Sequence, residues 1–324
     1  MKRVLRMFCV CALACALLAP VAPAPAQAAY PDRPVNIIIP FGPGGAVDIA
    51  ARILAEWFQT KHKITLNIIC KAGGAGAPAM LDVAKAKPDG YTFGFPALAT
   101  FSTTPQVKKT GYTLKDFQAV VQITNMWLSL AVSADSGIMN FQDLINAAKA
   151  DPGKVNFATH GALSSQRLFM SGVMQKFPGV ELPHVAYTSG HEVSTALLGK
   201  HITSGFGVIT NQKPYVQSGD FRIIGVTSPQ RLPEYPDVPT FAEQLGEEFV
   251  FPSPHGLITQ AKVPHDKVIT MQNLVKEALE DPDVKEKFAK AGLTVDYLPA
   301  AEFQKEMDQM WTLVGDLLKA SNLK

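Results

Sequence analysis

The residues of this chain that could do chemistry are glycine turns, hydroxyls and histidines standing where strands give way to helices. Gly42-Pro43-Gly44-Gly45 follows the apolar, β-branched run 35–41, and a helical pattern of Ile49, Ala50, Ile53, Leu54, Trp57 and Phe58 begins at once. Strand, glycine turn and helix N-terminus together leave backbone N–H groups that can meet an anion. Phe41, Gly42, Pro43, Gly44, Gly45 and Asp48 are the candidates there. The arrangement repeats after the strand at 64–70, where Gly74, Ala75 and Gly76 precede Pro78, a residue suited to start a helix. A third exit, after the strand at 91–95, offers Ala97 and Thr100. Further along, Thr159-His160-Gly161 with Ser164 and Ser165, then Tyr187 and Thr188 with His191, supply hydroxyls and imidazoles at similar turns.

The pattern suits binding better than catalysis. No Lys-Ser/Thr pair follows Gly45, so the first turn is not a Walker-type phosphate loop, and neither glycine turn matches the dinucleotide fingerprint. There is no Gly-x-Ser-x-Gly elbow. His191-Glu192 runs into Val-Ser-Thr, which breaks the zinc-peptidase helix, and His184, His191 and His201 lack ligand spacing. No catalytic residue, metal or cofactor is therefore expected. Asp48 and Arg52, four apart, could equally be a helix pair or a ligand contact. Thr159, Ser164 and Ser165 could cap a helix as readily as touch a ligand. An exported hydrolase using His160 with Ser164 or Ser165 is the rival of another class. A sensory receptor that presents its ligand to a partner is a third possibility.

Strands alternate with helices along the chain, which predicts parallel, doubly wound sheets with ligands outside the carboxyl ends of the strands. After a strand from Trp127 to Val132 the pattern restarts, with Asn140 as a helix N-cap. Strands at 155–159, 183–187, 202–208 and 222–227 complete a second lobe. An extended crossing at 249–259 leads to helices from Pro264 and Pro282, a strand at 294–298 and a long amphipathic helix at 301–318. The expected division is lobe 1 at 30–127 plus 253–324 and lobe 2 at 128–252, with hinge crossings near 126–132 and 250–257.

The 324 residues suffice for two lobes. Residues 1–29 read as a signal peptide: Lys2, Arg3 and Arg6, an apolar run, then Ala26-Gln27-Ala28 as cleavage site. Three of four cysteines leave with it, so Cys70 stands alone and reads as a small buried hydrophobe. Without that segment 27 of the 30 basic residues face 28 acidic ones, a net charge of −1. That charge gives no case for nucleic acid or for membrane insertion. The expectation is an exported, periplasmic protein, and a monomer.

Several motifs together carry a resemblance. Tyr30-Pro31-Asp32-Arg33-Pro34-Val35, Ile39-Pro40-Phe41-Gly42-Pro43-Gly44-Gly45 and Ala86-Lys87-Pro88-Asp89-Gly90-Tyr91-Thr92 are similar to signatures of the Bug-type solute-binding proteins. These are receptors of tripartite tricarboxylate transporters. Val185-Ala186-Tyr187 and Pro236-Asp237-Val238-Pro239-Thr240 extend the likeness over the whole mature chain. It implies a two-lobed periplasmic-binding-protein fold, each lobe a doubly wound α/β sheet with helices on both faces. It also implies a small carboxylate held by backbone amides of the first two glycine turns, and membrane transporter subunits as partners. Departures bear on the ligand. Lys71-Ala72 replaces the usual Asn-Arg pair, His160 stands where Ser is usual, and Thr203 stands near a common acidic position. Loss of an acid argues against an ammonium-bearing ligand. The gained histidines suit a second carboxylate, so a dicarboxylate or aromatic carboxylate is expected.

Overall fold

The structure is a computed structural model that describes residues 30–246 and 249–320; the expected signal segment 1–29 lies outside the described residues. From Arg33 onward the chain forms one compact unit. It begins β1 (Val35–Ile39), α1 (Ala46–His62), β2 (Leu66–Cys70), α2 (Ala77–Ala84), β3 (Thr92–Gly94) and α3 (Leu98–Val107). Then come β4 (Phe117–Asn125), β5 (Leu128–Ser133), α4 (Phe141–Ala150), β6 (Phe157–His160), α5 (Ser165–Met174), β7 (His184–Tyr187) and α6 (Gly190–Leu198). The chain continues through β8 (Ser204–Val208), α7 (Ile209–Gln217), β9 (Phe221–Val226), α8 (Phe241–Leu245) and β10 (Pro254–Gln260). It closes with α9 (His265–Glu280), α10 (Pro282–Lys290), β11 (Val295–Pro299) and α11 (Ala300–Ala320).

Two sheets result, ordered β11-β4-β10-β3-β1-β2 and β7-β6-β8-β5-β9. Only part of each is parallel, which corrects the all-parallel expectation. β1 lies parallel to β2 and β3, and β6 parallel to β7 and β8. β10 runs antiparallel between β3 and β4, and β5 antiparallel between β8 and β9. The cause is connectivity: β4 passes almost directly into β5 of the other sheet, and β10 returns from it, so neither arrives by a helical crossover. The two passes lie side by side. Met126 N–H donates to the Ser253 carbonyl at 2.9 Å, and Ser253 N–H to Asn125 Oδ1 at 3.0 Å.

Burial explains which residues became which element. Ile37, Ile38 and Ile39 are all buried, the mark of a strand covered on both faces. α1 buries Ala50, Ala51, Leu54, Trp57 and Phe58, one face of a helix. In α11, Phe303, Met307, Met310 and Val314 recur at helical spacing, all buried. The second sheet is covered by aromatic edges, with the Phe169 ring 5.1 Å from Phe241 and 5.6 Å from Phe206. Three elements escaped the sequence reading, β4, α7 and the short α8, and the exit after β3 proves to be helical as α3. α3 and α7 contain Pro with Ser, Thr or Asn, which hides their periodicity.

At Gly256, inside β10, a Cβ would lie 2.3 Å from the Val121 carbonyl oxygen and 2.6 Å from the Phe303 ring. Neither backbone nor a fully buried ring can move aside cheaply. Gly256→Ala is therefore expected to cost roughly 2–4 kcal/mol of unfolding free energy, read as a lower urea midpoint at unchanged slope.

Candidate functional site

The first glycine turn is held in shape by a carboxylate. Gly44 adopts φ +78°, a left-handed angle that strains any residue with a side chain. Its N–H donates to Asp48 Oδ2 at 2.9 Å, and Arg52 Nε donates to the same oxygen at 2.9 Å. The Cys70 thiol donates to Asp48 Oδ1 at 3.2 Å, tying the turn to the end of β2. Asp48 is only 3% exposed. Burial opposes its charge, yet the bonds from Arg52, Gly44 and Cys70 together hold its pKa below the ordinary carboxylate value. Cys70, half-buried and beside that carboxylate, is pushed up to about 11 and stays a thiol.

Beyond this turn lies a cavity open at its mouth, about 390 Å³ with the adjoining solvent space included. The start of α1 reaches it through Gly45, Ala46 and Val47, with Gly45 as an N-cap that has no side chain to bond the turn. The start of α6 reaches it through Ser189 and Gly190, and that of α7 through Val208 and Asn211. Three helix N-termini thus converge on one space, and each brings N–H groups that helical bonding leaves over. Gly190 makes this approach possible, because a Cβ there would lie 1.9 Å from Asn211 Nδ2. The sheets meet closely at this point: a Cβ on Gly42 would touch the Ser189 Cβ at 3.4 Å.

Two imidazoles share the same cavity, His160 at the end of β6 and His255 in β10. The Phe41 ring meets His160 edge-on with centroids 5.5 Å apart. Burial pushes His160 down to about 4. It does the same to His255, which is also about 4: the bond from its ring to the Ser253 carbonyl raises it and neighbouring His160 lowers it further. Both are neutral at pH 7. Past Phe41 and His160 a second, outer cavity of about 740 Å³ opens. Its floor is the second glycine turn, where Gly73, Gly74, Ala75 and Gly76 all take positive φ. Lys108, Ser164 and Tyr187 lie on its walls.

The structure brings together part of the sequence-derived set. Phe41, Gly42, Gly45, Asp48 and His160 line the inner cavity, and Gly74, Ala75, Gly76, Ser164, Tyr187 and Thr188 the outer one. Pro43 and Gly44 lie on the rim and line neither. Thr188 has its N–H and hydroxyl bonded to the Glu192 carboxylate, at 2.9 and 2.5 Å. Thr159 is fully buried between Ser164 Oγ and His184 Nε2, each at 2.8 Å. The Ser165 hydroxyl turns to Gln166 Oε1. Ala97 is buried and bridges His255 through its backbone, while the Thr100 side chain lies outside the described residues. His191 sits exposed on α6, away from both cavities. Thr203 precedes β8 and bonds Asn156, at the opposite end of that strand from Val208 in the cavity wall. Ser189, Gly190, Asn211, Met126 and His255 were missed. His255 was hidden in a segment read only as a crossing, and Asn211 in an unrecognised helix.

Among the described residues, no group of three or more His, Cys, Asp or Glu could hold a metal, and no helix is long and apolar enough to cross a membrane. The family model described as "Tripartite tricarboxylate transporter family receptor" matches residues 50–323, and the chain belongs to that family. It is similar to the protein BugT of Bordetella pertussis, 30% identical over 271 residues, which covers 82% of this chain and 82% of that one. Its fold matches the periplasmic binding protein BugD with a TM-score of 0.84 at 27% identity, covering 91% of this chain and 99% of that one. MatC from Rhodopseudomonas palustris, solved with bound malate, shares the fold at a TM-score of 0.80 and 22% identity, with 89% and 100% covered. Family and fold are those of solute-binding proteins rather than enzymes.

Asp48→Asn removes the charge that Gly44, Arg52 and Cys70 share. The expected cost is about 1–3 kcal/mol at pH 7. A depressed folded pKa means this stability is complete above the ordinary carboxylate value and lost as pH falls through the folded one. The deficit against the native protein should therefore shrink below pH 3.8, in denaturant titrations run across the acid range.

Proposed function

We propose that this chain is an extracytoplasmic receptor that captures a small carboxylate and delivers it to the membrane subunits of a tripartite tricarboxylate-type transporter. The observation that carries this reading is the convergence of three helix N-termini on one cavity, an arrangement suited to a compact anion. A dicarboxylate or an aromatic carboxylate is favoured. One carboxylate fits the inner cavity, and a second group would extend past Phe41 and His160 toward the outer one. The ligand-holding set is then the first-turn amides of α1, Ser189, Asn211 and the two histidines, with the Gly74–Gly76 turn beyond.

In this reading residues 30–127 with 253–324 form one lobe and 128–252 the other, hinged where the two passes lie side by side. Closure is driven by contacts that exist only when both lobes touch the ligand. The protein works in the periplasm as a monomer, after loss of a signal segment. The hydrolase reading is disfavoured, because Ser164 donates its hydroxyl to Thr159 and Gln166 occupies the Nδ1 face of His160.

Calorimetry against citrate, C4 dicarboxylates, aromatic acids and amino acids tests the proposal. A carboxylate without an ammonium group should bind and be recovered unchanged. Tight binding of an amino acid, with no plain carboxylate bound, would sink it. Gly42→Val places methyl groups against Ser189 and should weaken the best acid by about tenfold or more while the unfolding midpoint barely moves.

A further inference from the structure

The inner cavity contains two imidazoles, each with a hydrogen-bond partner at its Nδ1. His255 Nδ1 lies 2.7 Å from the Ser253 carbonyl oxygen. A carbonyl only accepts, so the proton sits on Nδ1 and Nε2 keeps a lone pair. His160 is held the other way round. Ser165 Oγ donates to Gln166 Oε1 at 3.3 Å, and the Gln166 amide nitrogen stands 3.5 Å from His160 Nδ1. Nδ1 accepts there, so the proton of the neutral ring is on Nε2.

The rings come from different sheets yet line the same cavity. Among the described residues, no hydrogen bond reaches either Nε2. Asp48, the remaining ionisable group on that wall, has both oxygens engaged by Gly44, Arg52 and Cys70. With both rings neutral near pH 7, the pair of imidazoles offers one N–H donor and one lone pair, and no imidazolium. A carboxylate oxygen only accepts and would face the His255 lone pair unfavourably. An ammonium only donates and would face the His160 N–H. A hydroxyl gives one hydrogen bond and takes another, and so satisfies both rings.

We infer that His160 and His255 form a specificity pair that reads a hydroxyl on the bound acid, making the ligand a hydroxylated carboxylate rather than a plain one or an amino acid. The inference rests on the carboxylate reading above and concerns a second group on the same molecule.

Calorimetry near pH 7 on the full chain with matched acids decides it: malate against succinate, lactate against propionate, mandelate against phenylacetate. The hydroxylated member of at least one pair should bind about tenfold tighter or more, without net proton uptake across buffers of different ionisation enthalpy. His255→Leu and His160→Leu should each bring that ratio to within about twofold. Proton–nitrogen correlation spectra of the histidine-labelled native protein give a reading that needs no variant: His255 protonated on Nδ1, His160 on Nε2. Equal affinities within every pair, proton uptake with a plain dicarboxylate preferred, or the reverse tautomers would overturn the inference and leave the carboxylate reading intact. Binding of none of these acids would overturn the carboxylate reading itself, and the inference with it.

Discussion

One buried carboxylate holds the site in shape. Asp48 gives its bonding capacity to its own turn and to the end of the neighbouring strand, so its charge is answered inside the protein. Without it, Gly42–Gly45 would be a glycine-rich segment free to sample many backbone angles, and ordering it on ligand binding would cost conformational entropy. With it, the turn is set, and Gly45, Ala46 and Val47 at the start of α1 line the cavity. Preorganisation of this kind lets a small ligand bind well although it buries little area.

The same demand explains why the sheets are mixed. A purely parallel sheet would end each strand in a helix on its own side, and its carboxyl edge would face solvent. Here β4 and β10 carry the chain between sheets, bringing the exit of β1 opposite the starts of α6 and α7. Gly42 against Ser189 and Gly190 against Asn211 are two places where elements at the site come closest. At Gly190 only the absence of a side chain permits the approach, and at Gly42 a Cβ would just meet Ser189, so atoms beyond it would press on that residue. Gly44 lies on the rim with open space around it, and its role is backbone angle rather than proximity.

Much of this was legible in the sequence because it lies in local pattern. Strand, glycine and helix follow one another within about a dozen residues at β1, and apolar spacing marks α1 and α11 plainly. What stayed hidden depends on long-range pairing or on helices whose composition disguises them. α3 and α7 contain Pro and small polar residues, so neither shows a clear apolar stripe in the sequence. His255 gave no local signal, since its importance arises from β10 lying beside β3 and opposite β6's exit. Thr203 and His191 were judged by position in the chain, but the strand and helix carrying them aim the wrong end and the wrong face at the cavity.

Charge counting then indicates what the cavity can hold. Each helix N-terminus carries roughly half a positive charge, so three together present about one and a half. The Asp48–Arg52 pair adds almost nothing to this sum, and both histidines are neutral. One carboxylate is matched with a little to spare, whereas two in the same space would exceed the available field. In the proposed reading a second carboxylate would reach the outer cavity, which is lined by Lys108 and the left-handed run at Gly73–Gly76. In the proposed reading selectivity divides accordingly: the inner cavity would fix one acid group and test its immediate neighbour through two uncharged rings, and the outer cavity would set how long the rest of the molecule can be.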